Sequence, residues 1–265
     1  MSFDSIGLVA RNEFSNILRH PIVLVTIGLL SIMLVINAAG CPYLLEQFRL
    51  GDVKEVFLIG FGNTTSSSMV LLSFLSLCLG IVSVSGDRSD RSLSLLITKP
   101  LYRRDILAGK YIGVVAFLFI VICYVISLNV SLIMILWGGP ERPEFYLNVL
   151  SFAFVAMIVC SLSTGLMFFT GVLFKDLKMA LILSVSYTYL SWYIAHPLSL
   201  RPFTVALLSR QYLSVVSPPG GVSLISASTP FDVWLGAALP YIVLLLLETV
   251  AVFLINCYLF NKEDT

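Results

Sequence analysis

A chain of 265 residues, 58% hydrophobic and only 12% charged, cannot cover a water-facing shell, since a soluble domain carries about 25% charged residues. Its solvent is largely lipid. The formal net charge of +1 provides no bulk attraction to nucleic acid or acidic partners, so any charge argument rests on where individual charges sit. In chain order, Met1 to His20 is amphipathic and charged, unlike a secretory leader. Within "ARNEFSNILRHP" (Ala10 to Pro21), Phe14, Ile17 and Leu18 can face lipid while Arg11, Glu13 and Arg19 face water.

Six apolar runs follow, each near the roughly 20 residues that a membrane-crossing helix needs: Pro21–Ala39, Ser67–Ser85, Tyr111–Trp137, Asn148–Phe174, Met179–His196 and Leu235–Phe260. They are continuous, so they predict helices and not the alternating strands of a barrel. With the N-terminus inside, eleven of the sixteen Lys and Arg residues fall on the cytoplasmic side and five outside, as the positive-inside rule requires. Both termini are then cytoplasmic. The Gly40 to Ser66 stretch reads as a long outer loop bearing an Asn63-Thr64-Thr65 sequon, and "RPFTVALLSRQYL" (Arg201 to Leu213) as a short helix at the outer surface, ended by "SPPGG". Cys41, Cys78, Cys123, Cys160 and Cys257 form no C-x-x-C pair, which argues for packing and against a disulfide or zinc framework.

Between the second and third runs lies "SGDRSDRSLSLLITKPLYRRDILAGKY", Ser85 to Tyr111, with nine of the chain's charged residues. Asp87, Arg88, Asp90 and Arg91 leave the membrane. Leu93, Leu95, Leu96 and Ile97 form an apolar patch, Pro100 interrupts it, and Arg103, Arg104 and Asp105 precede Gly109-Lys110 at re-entry. The segment reads as two short amphipathic helices, more than a connector needs. A solvated loop and a docking surface for a cytosolic partner both fit these residues.

This segment resembles the span two–three region of ABC-2 type transporter permeases. The resemblance rests on Asp87, Arg88, Asp90, Ser92-Leu93, Leu95-Leu96, Pro100, Arg103 and Gly109-Lys110, with Arg91-Ser92 where the family has Gly-Thr and Asp where it has Glu. Short members include drug and antibiotic exporter permeases and the permease for nitrous-oxide reductase maturation. The resemblance implies one transmembrane domain over 1–265, an elbow helix over 5–20 with Arg11, Glu13 and Phe14, and a coupling segment over 86–110. It also implies a cytosolic ABC ATPase subunit that binds ATP and Mg, and a second permease copy. No cofactor is expected on this chain.

Other chemistries fare poorly on the residues. Gly109-Lys110 lacks the rest of a phosphate-binding loop, because Arg104 and Tyr111 stand where Gly and Ser or Thr are needed. His20 and His196, the two histidines, fall on opposite faces of the membrane, which argues against a hydrolase or a metal site. "DRSDR" lacks the remaining aspartates of a lipid head-group transferase. One acid, Glu248, falls inside the last span, with Tyr241 seven residues earlier on nearly the same face. Glu248 and Tyr241, with Tyr189 and Trp192 of the fifth span, are candidates for a bundle interface or a transport path. Asn37, Asn129 and Asn256 are expected to bond between helices. The reading is therefore an all-α membrane permease. A membrane scaffold and an ion-driven transporter using Glu248 are the alternatives.

Overall fold

Apolar sequence in lipid satisfies its backbone best as helix, and the computed structural model is helical, with no strand among the described residues. The structure describes residues 3–48, 53–86, 103–137, 144–174, 176–194, 208–218, 223–224 and 229–262. Helix α1 (Phe3–Arg19) stops at His20, whose ring Nδ1 accepts the Ile22 N–H at 3.3 Å. Pro21 then opens α2 (Pro21–Phe48) at a first-turn position where its missing N–H has no consequence. Next come α3 (Val53–Ile81), continued by a π turn over Val82–Gly86, α4 (Arg103–Trp137) and α5 (Glu144–Leu173). Asp176 caps α6 (Leu177–Tyr189) by accepting the Lys178 N–H, and a second π turn carries α6 on through Leu190–Ile194. The short α7 (Leu208–Val216) and the long α8 (Phe231–Lys262) complete the order.

Among the described residues five segments are long and apolar enough to cross a membrane: Pro21–Gly40, Gly60–Val84, Arg104–Leu136, Phe145–Leu173 and Phe231–Phe260. The predicted fifth span, Met179–His196, is helical over Leu177–Ile194 as α6 and its π turn, and its last two residues lie outside the described residues. Three expectations need correction. The outer loop expected from Gly40 to Ser66 is helix wherever it is described, because α2 runs on to Phe48 and α3 begins at Val53. Thr64 and Thr65 are buried and donate to the carbonyls of Gly60 and Phe61 at 2.6 and 2.7 Å, so the sequon lies inside a packed helix and not in a surface loop. The second of the two short helices expected within 86–110 does not exist as such, since α4 is continuous from Arg103.

α4 is the central helix. Its Val114, Phe117, Leu118, Val121, Ile122 and Val125 are buried in the main core, and it packs against α1, α2, α3, α5 and α8. Hydroxyl pairs cross between other helices: Ser76 of α3 donates to Ser163 of α5 at 2.8 Å, and Thr170 of α5 meets Ser184 of α6 at 2.8 Å. The bundle has a near end, where α1, the π turn after α3 and the start of α4 meet, and a far end, where α3 and α5 begin and α7 packs on α5 and α8. α7 is not a free surface helix: Tyr212, Val215 and Val216 are buried.

Candidate functional site

The sequence Gly109-Lys110-Tyr111-Ile112-Gly113 places two glycines one turn apart on the face of α4 that meets α1. A Cβ on Gly109 would lie 2.7 Å from the Val9 Cβ and 2.9 Å from the Ile6 carbonyl oxygen. One on Gly113 would lie 2.7 Å from the Ala10 carbonyl oxygen and 2.9 Å from the Glu13 Cβ. Glycines four apart let two helix backbones approach this closely. The approach brings Glu13 and Lys110 together: Lys110 Nζ donates to Glu13 Oε2 at 3.2 Å, and the two side chains are 5% and 10% exposed. The same ammonium donates to the Ser83 carbonyl at 2.7 Å. That carbonyl belongs to the last turns of its helix, whose acceptors lack intrahelical donors and favour a cation.

One buried ammonium therefore ties α1, the end of α3 and the start of α4. A charge this deep is tolerable only when paired and hydrogen-bonded. Phe14 of α1 adds an edge-on contact with Phe117 at 6.3 Å. Beside this junction Asp105 is 2% exposed and sits 3.8 Å from Arg104 Nε, in the first turn of α4 where a helix N-terminus favours an acid. Among the described residues no group of His, Cys, Asp and Glu could hold a metal ion.

The predicted residues are distributed as follows. Asp87, Arg88, Asp90, Arg91, Leu93, Leu95, Leu96 and Pro100 lie outside the described residues, and Arg103 opens α4. Arg11 is exposed. Glu13 and Ile17 are not on the expected faces: Ile17 is buried in protein rather than lipid, and Glu13 is buried instead of facing water. The apolar side of α1 meets α4, and Glu13 goes in with it because Lys110 is there to receive it. The junction was missed in the sequence because Lys110 counts as one more cytoplasmic cation there, although "GKYIG" itself is a small-xxx-small signal that could have found it.

Tyr241 is half-buried against the core, and Glu248, also half-buried, lies within electrostatic reach of Tyr187. Tyr189 is exposed, whereas Trp192 packs on Tyr212 with ring centroids 6.0 Å apart. Of the three asparagines, Asn256 bonds between helices, donating to the Gly165 carbonyl at 2.7 Å, while Asn37 donates within its own helix to Met33. Asn129 corrects the expectation: it is fully buried and neither of its amide atoms has a partner. At the far end, burial pushes the Tyr212 phenol above its ordinary value, while the nearby Ser66 and Thr65 hydroxyls draw it back down.

Comparison with protein families matches residues 8–265 to the model for the ABC-2 family transporter proteins. Comparison with curated proteins gives no match. The match extends over all but the first seven residues, across the apolar helices and the α1–α4 junction alike, and the chain belongs to the ABC-2 transporter family.

Proposed function

We propose that this multi-pass membrane protein is the permease subunit of an ABC exporter, with residues 86–110 as the segment on which a separate cytosolic ATPase acts. Membership of the ABC-2 family supports a transport component that performs no catalysis itself, so ATP and Mg belong to the partner. The observation that carries the coupling role is the Lys110 junction. Ser83 lies just before the segment and Lys110 at its end, and one ammonium fastens both to α1. A push on the segment then reaches α1, α3 and α4 together, whereas a loosely tethered loop would absorb it. Closure of the ATPase dimer would rock the helices and switch access across the membrane. Two copies of the chain would form the path, and the excess of Lys and Arg at the near end supports placing it in the cytosol with both termini.

Tagged full-length chain purified from its native membrane should bring down a protein that a photoreactive ATP analogue labels. Leu95→Asp with Leu96→Asp should abolish that capture by inserting charge into an apolar contact, while the unfolding temperature of the permease stays within about 2 °C of the parent, as for a surface change. Capture that survives the double substitution removes the segment from the coupling role. Ion-driven transport in vesicles without any ATPase would favour Glu248 instead.

A further inference from the structure

The junction accounts for one side of α1 and leaves the other open. The inner side lies along α4 at Gly109, Gly113 and Phe117. The outer side carries Leu8 and Leu18, which are 69% and 50% exposed, together with the exposed Arg11 and Arg19. Leu8 lies three residues before Arg11 and Leu18 seven after it, spacings that put all three on one side of a helix. A helix that meets water keeps such leucines inside. Here they stand among the arginines on the side that nothing in the bundle covers.

The charge of that side has one sign. Glu13 is buried against Lys110, so it takes nothing from the positive charge outside. The other acid of α1, Asp4, stands in the first turn, about two turns before Arg11 and four before Arg19. Among the described residues no salt bridge engages either arginine. His20 adds no charge, because its Nδ1 accepts the Ile22 N–H and a protonated ring has no acceptor.

The depth of α1 follows from the length of α4. The apolar stretch Arg104–Leu136 has 33 residues, about 50 Å of helix, against a hydrocarbon core of about 30 Å. Shared between the two ends, the excess leaves roughly two turns at headgroup level, and the turns at the start of α4 hold Gly109 and Lys110. α1 lies beside them, and Arg19 stands two residues before Pro21, where the first apolar span begins. At this depth a leucine reaches the acyl boundary while an arginine extends to the phosphates.

We propose that the outer side of α1 binds the headgroups of acidic phospholipids, with Arg11 and Arg19 on the phosphates and Leu8 and Leu18 against the acyl chains. A bilayer lipid fits this side better than a cytosolic protein, because the exposed leucines and the start of the span both place it at the membrane boundary. The inference goes beyond the permease reading and stands whether or not an ATPase drives the chain.

The test uses the full chain in an alkyl maltoside, with the unfolding midpoint followed as phospholipid is added. Dioleoylphosphatidylglycerol should raise the midpoint by about 3 °C and reach half its effect at a lower concentration than dioleoylphosphatidylcholine. Arg11→Gln and Arg19→Gln should each raise the half-saturating concentration of phosphatidylglycerol about fivefold, and the double variant roughly 30-fold. Both positions are exposed, so without lipid the double variant should unfold within about 2 °C of the parent, and its weaker response is not a loss of fold. Lys178→Gln, at an exposed cation of α6 beside Asp176, should respond like the parent. Salt at about 0.5 M should weaken phosphatidylglycerol in the parent far more than in the double variant. Glycerol 3-phosphate, the anion without chains, should have no effect. Equal half-saturation by the two lipids, no response to either, an undiminished preference in the double variant, or stabilisation by glycerol 3-phosphate as large as by the lipid overturns the site. A double variant that keeps the lipid preference but loses capture of the ATPase assigns this side of α1 to the protein partner instead.

Discussion

The two ends of the bundle differ in what buried polarity they hold: an ion pair at one, neutral amide and indole groups at the other. At the near end Glu13 and Lys110 answer each other, a carbonyl takes a second proton of the ammonium, and two glycines bring the backbones close enough for this to happen. At the far end the Asn129 amide is fully buried and Trp192 Nε1 is enclosed, and neither finds a hydrogen-bond partner. The difference teaches that close packing and polar satisfaction are separate properties. The near end pairs its buried charges, Glu13 with Lys110, which ties three helices together, although Ser83 Oγ and Asp105 Oδ1 beside them find no hydrogen-bond partner. The far end satisfies Trp234, Thr64 and Thr65 but leaves the Asn129 amide and Trp192 Nε1 without a partner.

The largest test of this contrast removes one partner of the ion pair. Lys110→Met or Glu13→Leu alone leaves a buried charge unanswered and should lower stability by about 3–5 kcal/mol, read from denaturant or thermal unfolding in detergent. The double variant Lys110→Met with Glu13→Leu should recover most of that loss. If the double variant is as unstable as the sum of the two singles, the pair is not coupled and the near end is held by packing only.

A smaller effect is expected from the glycines. Gly113→Ala forces a methyl against the Ala10 carbonyl oxygen and the Glu13 stem and should be destabilising by about 1–3 kcal/mol. Gly28→Ala, with nothing within 4 Å of the new methyl, should raise stability or leave it unchanged, since Gly is the poorer helix former by about 1 kcal/mol. Equal outcomes at the two positions would mean that α1 and α4 have room to spare.

The smallest effects compare two asparagines. Asn256→Leu loses the bond to the Gly165 carbonyl and should lower stability by about 0.6–1.7 kcal/mol. Asn129→Leu removes an amide that has no partner and should leave stability unchanged or slightly raised, measured in the same unfolding assay. A loss at Asn129 as large as that at Asn256 would show that the far-end amide is engaged after all, and the contrast between the ends would fail there.

Much of the architecture was legible in the sequence, because apolar length alone sets a membrane-crossing helix and the chain has little else to offer water. The ends of helices were less so. The Gly40 to Ser66 stretch reads as a loop in the sequence, but Gly is tolerated in membrane helices, and Thr64, Thr65 and Ser68 can return their hydroxyls to the carbonyl one turn back, so polar composition there did not mean exposure. The hydrophobic stripe of α1 was visible, but not what it would cover. Its acid was assigned to water because no periodicity argument reveals a cation contributed by a different helix. The asparagines show the same limit: Asn256 and Asn129 look alike in an apolar run, and only the neighbouring helix decides which of them finds a carbonyl.

The Glu13–Lys110 contact spans 97 residues of chain, and this has a consequence for biogenesis. At about 5–20 residues per second, the ribosome delivers the lysine roughly 5–20 s after the glutamate. During that interval the first helix has no counter-ion to enter with, and its acid stays at the water boundary while two further hydrophobic helices are inserted. The N-terminal helix therefore reaches its final seat only once the helix carrying Lys110 has been made, although it is itself made first.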